Sequence, residues 1–441
     1  RGDLRALPVV TIVVLARAFI AWLLFVPERL GLGDIPYYWR RAGEMPTAGL
    51  DQTFLEYPTP VAWMLSLPQW LGGHSLPAYA GLFIVFILLT DLAFCALIWA
   101  TGAPWRGWAI AFWSVLCATL GPLIWLRFDL IPAVAVGAAT LLAARRPGAA
   151  AASLALGTAT KLWPGVLFPL LLNRPGPGPR RWLPPVIGFG VVGVVAVAAS
   201  LAAAGWDRLV SPLLWQSDRG LQIEAIAAMV PMLLRAIGVP GWQVEMSTYQ
   251  AFEVFGPQVG LWLRVADGLA IGGVVIGIAA LIRHWRRPYA DPDDWAAGAA
   301  VAMLGLICLL IVTNKTLSPQ YVIWLGGPMV GLIAWRGGGP AAPARGQGGD
   351  LAAPVRGQDA RVPGSTPRAH GWLVRWSIGI LLIGVTTYVV FPVLYEHLWL
   401  YLDPTWTPWA TALLMVRNGA LLVLTVDVLR HCLRSPSPRT D

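Results

Sequence analysis

Long apolar stretches constrain the fold of this 441-residue chain more than any other feature of its sequence. A helix needs about 20 mostly apolar residues to cross the ~30 Å hydrocarbon core of a membrane. Such stretches lie near residues 8–26, 77–100, 105–122, 128–144, 182–204, 258–283, 294–313, 319–335, 372–394 and 408–430. Only 12% of the residues are charged, which is about half the proportion in soluble domains. The sequence therefore predicts an all-α, polytopic helical membrane protein.

Two further segments leave the number of spans open. Residues 58–71 are apolar but short and interrupted by prolines, and residues 148–172 can form one long span or two short ones that turn near Lys161. A single long span would place Arg145 and Arg146 outside the cell, so we favour a tight helical hairpin. With residues 58–71 in the membrane interface, about 12 transmembrane helices result.

The distribution of charge supports this arrangement. The segments that would face the cytoplasm, including both termini, carry many more arginines than acidic residues. The two long outer loops, 27–76 and 205–257, carry more acidic residues than basic ones and are expected to hold interfacial helices. This is the asymmetry that the positive-inside rule predicts. Because the charges are expected to fall in loops between the apolar stretches, the net charge of +9 indicates orientation in a membrane and no nucleic-acid partner.

The composition also predicts how the chain is divided. Residues 1–335 are expected to form one transmembrane module. Residues 336–371 are rich in Gly, Pro, Ala and Arg and are expected to form a disordered cytoplasmic linker, with a tether for a partner as the alternative. Residues 372–441 are expected to hold the last two transmembrane helices and a basic cytoplasmic tail.

Motifs of soluble enzymes are absent, since the chain has no phosphate-binding glycine loop, HExxH or GxSxG. The four cysteines show neither disulfide nor metal-ligand spacing. Asp291-Pro-Asp293-Asp294 resembles a metal-binding cluster, but it lies beside arginines in a short connection. We expect it to be a charged turn that caps the helix starting near Trp295, and we expect no metal and no cofactor.

Each outer loop contains a candidate site. In the first, Asp34 precedes Pro36 and three aromatic residues, so its carboxylate is a candidate general base for a substrate held at the interface. The alternative is an ordinary acidic residue of an outer loop. In the second, Arg219, Gln222 and Glu224 form a polar cluster suited to an anionic or sugar ligand. An interfacial helix is expected to follow this cluster.

The two lysines are the most unusual feature of the charged residues, because every other basic residue is an arginine. Lys161 and Lys315 are both expected at outer ends of spans, and Asp129 is expected at another. Ionisable groups at such depth are costly and are often functional. The alternative is that the lysines extend towards the interface and have no further role.

These motifs, in this order, resemble glycosyltransferase family 87 of the GT-C superfamily. They are Asp34 with the following tyrosines, Tyr57-Pro58-Thr59-Pro60, Arg127-Phe128-Asp129-Leu130-Ile131-Pro132, Thr160-Lys161-Leu162-Trp163-Pro164, Arg219-Gly220-Leu221-Gln222-Ile223-Glu224 and Leu317-Ser318-Pro319-Gln320-Tyr321-Val322-Ile323-Trp324. The resemblance covers residues 1 to about 335 and departs from the family pattern at Thr59, where proline is more usual. The linker and the last two spans carry no such signature.

The resemblance implies a GT-C-like catalytic module similar to the polyprenol-phosphate-mannose-dependent α-1,2-mannosyltransferases of actinobacteria. A hexose would move from a polyprenyl-phosphate donor to a hydroxyl of an envelope glycolipid or glycan, at the outer face of the plasma membrane. Asp34 would be the general base of an inverting single displacement. Lys161, Arg219 and Lys315 would bind the phosphate, Gln222, Glu224, Gln320 and Tyr321 would bind sugar hydroxyls, and Tyr57, Arg127 and Asp129 would complete the substrate-binding set.

Two other functions remain possible from the sequence. A transporter or flippase of lipid-linked sugars would use the same cations and cavity without chemistry, although transporters usually bind at the midplane on broken helices. A non-catalytic scaffold accounts poorly for the two isolated lysines.

Overall fold

The computed structural model describes residues 3–26, 33–176, 178–217, 219–249, 251–336, 371–400 and 403–434. Within these ranges the protein is mostly helical and has almost no strands, which confirms the predicted all-α, polytopic class. The helices are α1 (Ala6–Leu24), α2 (Ile35–Ala48), α3 (Thr59–Trp70), α4 (Leu76–Ala100), α5 (Arg106–Leu120), α6 (Leu130–Leu142), α7 (Pro147–Thr160), α8 (Leu183–Ser217), α9 (Met229–Ala236), α10 (Val259–Arg286), α11 (Pro292–Val312), α12 (Gly326–Arg336), α13 (Gly371–Tyr388), α14 (Glu396–Trp399) and α15 (Trp406–Leu433). The predicted linker, apart from its two end residues, lies outside the described residues.

Eight of the described helices are long and apolar enough to cross a membrane. They are α1, α4, α5 with its continuation to Ile124, α8, α10, α11, α13 with its continuation to Val393, and α15. The other predicted spans are shorter than about 18 residues or change helix type part-way along. The difference from about 12 spans arises because hydropathy measures the length of an apolar run and not the continuity of its backbone.

Two of the shorter spans are interrupted close to each other. The helix α7 ends at Thr160, Lys161 is extended, and the chain continues as a 3-10 helix from Trp163 to Leu171. This confirms the predicted turn near Lys161. The predicted span 319–335 likewise begins as a 3-10 helix, Pro319–Leu325, before α12. The rings of Trp163 and Trp324 stack with 4.6 Å between centroids, so the two interruptions are in contact.

The described residues of segments 33–75 and 205–258 pack together at one end of the helical bundle, which we call the loop face. Arg208, which follows a kink at Gly205, donates hydrogen bonds to the backbone carbonyls of Leu50, Phe54 and Tyr57. The first of these segments holds α2 and α3, and the second holds α9. The side chain of Arg208 therefore joins the two predicted outer loops into one structure.

The second segment also contains an antiparallel hairpin that was not predicted. Its strands are β1 (Gln243–Met246) and β2 (Phe252–Phe255). The strand β2 also pairs with the chain near Ile223, whose N–H donates to Phe252 O at 3.1 Å. Two four-residue strands are too short to show a reliable period of two, so their formation depends on this non-local pairing.

Small residues allow the central helices to pack closely. A Cβ atom on Gly327 of α12 would lie 2.7 Å from the backbone oxygen of Ala133 in α6. Helices in lipid associate by such close backbone approach, because lipid is as apolar as their side chains. The helices α8 and α10 instead expose large apolar residues such as Val194 and Ile271, as a surface in contact with lipid would.

The expectation that charges fall only in loops is wrong. Arg17 of α1 and Asp91 of α4 form a buried ion pair within two spans, with Nη2 and Oδ1 2.6 Å apart. The indole N–H of Trp113 donates to the same Asp91 oxygen at 2.7 Å. A membrane-embedded charge is stable when it has a partner of opposite charge and further hydrogen bonds. The pair therefore links three helices of the core, α1, α4 and α5.

The two C-terminal spans pack against the rest of the bundle. The helix α13 contacts α5, and α15 contacts α9 and α11. Within α15, the side chain of Arg417 is fully buried. The described residues after 371 are thus part of the same helical core, even though they lie outside the resemblance noted in the sequence.

Candidate active site on the loop face

A cavity of about 280 Å³ opens between the two interrupted spans and the first loop segment. Both lysines, Lys161 and Lys315, line it. The other residues that line the cavity are Glu56, Tyr57, Pro58, Leu162, Trp163, Pro212, Leu310, Asn314, Thr316, Tyr321 and Trp324. The cavity therefore combines two cations and a carboxylate with several aromatic rings.

Lys161 is held by a carboxylate and by three rings. Its Nζ lies 2.6 Å from Oδ1 of Asp129, and the indole N–H of Trp324 donates to the same oxygen at 3.0 Å. The ammonium also lies 4.9 to 5.4 Å from the ring centroids of Phe128, Tyr321 and Trp324. Cation–π attraction and the ion pair together fix the charge at the edge of the cavity.

Asp34 lies at the start of α2 and pairs with an arginine, Arg127, from the connection between α5 and α6. Gly33, with φ +56°, makes the turn that precedes it, a conformation that favours glycine. Oδ1 of Asp34 lies 3.1 Å from Nη2 of Arg127, and the hydroxyl of Tyr38 donates to Oδ2 at 3.4 Å. About a third of the Asp34 side chain is exposed, so a substrate hydroxyl can approach it.

Glu56 is the carboxylate that lines the cavity itself. The hydroxyl of Tyr37 donates to its Oε1 at 2.5 Å. Burial raises the pKa of Glu56 above its ordinary range, against the opposing effect of the Tyr37 hydrogen bond. Because Tyr37 and Tyr38 are consecutive residues, Glu56 and Asp34 are connected through the first turn of α2.

The polar cluster of the second loop segment lies beside Lys315. The backbone N–H of Gln222 donates to Lys315 O at 3.0 Å, and its side chain contacts the hydroxyl of Ser318. Nε of Arg219 is buried and has no hydrogen-bond partner among the described residues. The backbone of Gln222 thus contacts the backbone of Lys315.

Glu224 lies elsewhere, under α15. Its side chain is fully buried, with Oε2 2.9 Å from Nη2 of Arg417. Asn418 donates from Nδ2 to the backbone oxygen of Glu224 at 3.2 Å. Burial raises the pKa of Glu224, although Arg417 opposes that effect. Of the residues predicted to bind sugar, Tyr321 lines the cavity, whereas Gln222, Glu224 and Gln320 are buried and are not among its lining residues.

An apolar groove of about 490 Å³ lies between α10 and α11 and joins the cavity. Leu310, Asn314 and Lys315 line both. Small residues of α10 line the groove, and Gly273 lets the helix approach the end of α11 closely, since a Cβ atom there would lie 2.9 Å from Cγ2 of Thr313. The groove is thus an apolar channel along two spans, and Lys315 lies at its end on the loop face.

The model of glycosyltransferase family 87 matches residues 54–312 of this sequence, more than half of the chain. The chain belongs to glycosyltransferase family 87. Its resemblance to that family, inferred from the ordered motifs, is confirmed. It is a membrane glycosyltransferase, which uses a sugar donor and an acceptor. No curated protein and no solved structure matches it.

The family match divides the candidate residues of this glycosyltransferase. Glu56, Lys161 and the cluster at 219–224 lie inside the matched range. Asp34 precedes that range, and Lys315 follows it. The structure nevertheless brings both to the same face as the matched residues, because Asp34 contacts Arg127 and Lys315 contacts Gln222.

Sequence reasoning did not single out some residues that contact this site. Glu56 was one of several acids in its loop, and Tyr37 was one of several aromatics. Trp324 was part of a motif without an assigned role. The tight spacing of Glu56 and Tyr57 before two prolines was the available signal, but nothing local shows that Tyr37 reaches Glu56.

The acidic cluster of the glycosyltransferase is a helix cap. Oδ1 of Asp291 accepts a hydrogen bond from the N–H of Asp294 at 2.8 Å, and Pro292 is the first residue of α11. The expected capping turn is therefore present. Over the described ranges, no group of three or more His, Cys, Asp or Glu side chains is arranged to hold a metal ion.

Proposed function

We propose that this glycosyltransferase moves a hexose, mannose by its family resemblance, from a polyprenyl-phosphate donor to a hydroxyl of an envelope glycolipid or glycan. The observation that carries the proposal is the junction between the apolar groove and the polar cavity at Lys315. A lipid-linked sugar needs both environments in contact, with a cation where its phosphate lies. The reaction would take place at the outer face of the plasma membrane, with both termini in the cytoplasm.

The lysines support a phosphate-bearing donor. Lys161 and Lys315 both line the cavity, so their ammonium groups can donate charge-assisted hydrogen bonds to phosphate oxygens. Arg219, whose Nε has no partner in the described part of the chain, is a third candidate donor. These cations would stabilise the negative charge that develops on the departing phosphate, so the mechanism requires no divalent metal or cofactor.

Asp34 is the proposed general base. It would take the proton of the acceptor hydroxyl while that oxygen bonds to the anomeric carbon. The bond from the anomeric carbon to the phosphate oxygen breaks in the same step, and the polyprenyl phosphate leaves. One displacement without a covalent intermediate inverts the anomeric configuration. The ion pair with Arg127 and the hydroxyl of Tyr38 would orient the carboxylate.

The remaining predicted residues have supporting roles in this proposal. Tyr57 and Tyr321 line the cavity and would contact the sugar, and Gln320 precedes Tyr321 in the same turn. Gln222 would hold the backbone of Lys315 through its hydrogen bond, and Asp129 would position Lys161 through their 2.6 Å ion pair. Glu224 is assigned to the buried anchor with Arg417, since its side chain is fully buried there.

The experiment uses the purified protein in lipid nanodiscs with a short-chain polyprenyl-phosphate mannose and an envelope lipid extract. We expect an acceptor whose mass increases by one hexose, and release of the polyprenyl phosphate. A donor in which a methylphosphonate replaces the charged phosphate is the matched control and should transfer much more slowly. Movement of the donor across liposomes without any transfer would instead establish a transporter.

A further inference from the structure

We propose that Glu56, held by Tyr37, binds two neighbouring hydroxyls of the transferred sugar and makes the site selective for a neutral sugar. This inference rests on the proposed function and assigns the residue that recognises the sugar. Its basis is the position of this carboxylate, which lines the same cavity as the two lysines assigned to the donor phosphate.

Within the cavity, the carboxylate of Glu56 does not form an ion pair with either lysine. Lys161 is paired with Asp129 at 2.6 Å, and among the described residues no cation lies within ion-pair distance of Glu56, although the charges of Arg41 and Arg208 act on it from further away. If Glu56 served only to neutralise a lysine, the two would be expected in direct contact. Instead its described side-chain partner is the neutral hydroxyl of Tyr37.

The carboxylate of Glu56 can accept further hydrogen bonds. A carboxylate has two oxygens with about four acceptor positions, and the Tyr37 hydroxyl and the backbone N–H of Glu56 itself occupy two of them. Burial deprives the charged carboxylate of part of the solvation that water would provide, and this loss raises the pKa of Glu56. Hydroxyl donors from a bound sugar would replace that solvation, since buried charge is tolerated when it is hydrogen-bonded.

A carboxylate suits neighbouring sugar hydroxyls for a geometric reason. Its two oxygens lie in one plane and accept in parallel, so they match two hydroxyls on adjacent ring carbons. An ionised carboxylate only accepts, and it repels a second carboxylate. Glu56 would therefore favour neutral hexoses and disfavour uronic acids, while the lysines attract the phosphate.

Aromatic rings complete the sugar site. Tyr321 and Trp324 stack with 4.0 Å between centroids, and both line the cavity with Tyr57. Tyr57 in turn packs edge-on against Phe128 at 5.0 Å. Such rings can cover the apolar C–H face of a sugar, while Glu56 accepts from its hydroxyl edge.

The test combines variants with deoxy donors. Parent enzyme, Glu56→Gln and Tyr37→Phe are each assayed with polyprenyl-phosphate mannose and with its 2-, 3-, 4- and 6-deoxy forms. In the parent, removal of a contacted hydroxyl should lower kcat/KM by roughly 10–100-fold, as expected for a hydrogen bond to a charged group. In Glu56→Gln, the intact donor should lose a similar factor, and those same deoxy donors should lose little more.

Two controls separate recognition from folding and from the wider proposal. Asp51→Asn changes an exposed carboxylate of the same loop and should match the parent with every donor. Equilibrium binding of each donor is measured in parallel by native mass spectrometry, with thermal midpoints recorded for all variants. Binding therefore tests Glu56 even if no transfer occurs.

The outcomes are distinct. Deoxy donors that lose the same factor in the parent and in Glu56→Gln would overturn the inference while leaving the proposed function intact. Absence of transfer with every donor in the parent would overturn the proposed function. In that case the dependence of binding on Glu56 would still decide whether it recognises the sugar.

Discussion

Asp34 and Glu56 belong to the same loop segment, but their partners differ in a way that separates their chemistry. Asp34 is partly exposed and lies 3.1 Å from a guanidinium, whereas Glu56 lines a cavity and accepts from a neutral tyrosine. A base needs an approach path for the acceptor and an orienting partner, and Asp34 has both. A sugar-binding carboxylate needs free acceptor positions inside the cavity, and Glu56 has those.

We expect Asp34→Asn to lower turnover by about 10²–10⁴-fold, the usual contribution of a positioned carboxylate base. The amide keeps the shape of the side chain and some hydrogen bonding to Tyr38, but it cannot accept the proton. Donor binding and the thermal midpoint should therefore change little. Steady-state kinetics with the donor and acceptor of the transfer assay measure the effect.

Asp51→Asn is the control for that variant, because Asp51 is an exposed aspartate of the same segment. It should retain the parent turnover. If Asp34→Asn turns over within a few-fold of the parent, another group takes the proton, and Glu56 becomes the first alternative.

The pH dependence of donor use should reveal Glu56. Burial raises its pKa, so the charged form that accepts sugar hydroxyls is present above that raised pKa and is lost as pH falls through it. Tyr37, Arg41 and Arg208 are the neighbouring polar and charged groups that act on it. We expect the donor KM to rise at low pH in the parent and to stay flat over the same range in Glu56→Gln. If the donor KM of Glu56→Gln rose at low pH as it does in the parent, this assignment would be contradicted.

At the scale of elements, the last helix stabilises the second loop segment through one buried ion pair. Arg417→Met leaves Glu224 buried without its cation, so we expect a loss of about 3–5 kcal/mol in the free energy of unfolding. The double variant Arg417→Met/Glu224→Met removes both charges and should recover most of that loss. Denaturant titration in mixed micelles measures both, and a double variant no more stable than the single one would contradict the argument.

The groove along α10 makes a second prediction at this scale. The Cβ atom of a leucine at Gly273 would lie only 2.9 Å from Cγ2 of Thr313 and would force the two helices that line the groove to shift, so Gly273→Leu should raise the donor KM at least several-fold. Gly272→Leu is the matched control, since a Cβ atom there meets nothing within 4 Å. Donors whose lipid is cut to a few carbons should be affected much less by Gly273→Leu, and equal losses for short and long donors would argue against the groove.

Elements differ in how well the sequence predicts them. The long apolar helices follow from composition alone, and the break at Lys161 follows from a polar residue and prolines within an apolar run. The hairpin of β1 and β2 does not, because its hydrogen bonds to residues near Leu221 and Ile223 are non-local. The pair of Arg17 and Asp91 is similar, since each residue by itself only interrupts an apolar run.

The residues of the candidate site also differ in how well the sequence predicts them. Lys161 and Asp129 were predicted as functional because ionisable groups at span ends are costly. Their contact at 2.6 Å depends on how α6 and α7 pack, which no local pattern contains. The burial of Glu224 was missed because its partner, Arg417, lies 193 residues further along the chain.

At the scale of the whole molecule, the orientation proposed from the positive-inside rule can be tested with two exposed residues. Ser75 precedes α4 on the loop face, and Ala290 lies in the connection between α10 and α11. We expect Ser75→Cys to react with an impermeant maleimide from outside intact cells, and Ala290→Cys to react only after the membrane is opened. The four native cysteines are buried and should label poorly in either case. Labelling of position 290 from outside would reverse the orientation.

The length of the groove on α10 limits how much of a carrier lipid this enzyme would hold. From Asp267 to Leu281 the helix α10 rises by roughly 21 Å. Only the part of an isoprenoid chain nearest the phosphate would therefore contact the protein. The rest of the tail would remain dissolved in the bilayer and would be invisible to the protein. Carriers of unequal length would then compete on equal terms, and cells could change the length distribution of their carrier pool without retuning this step.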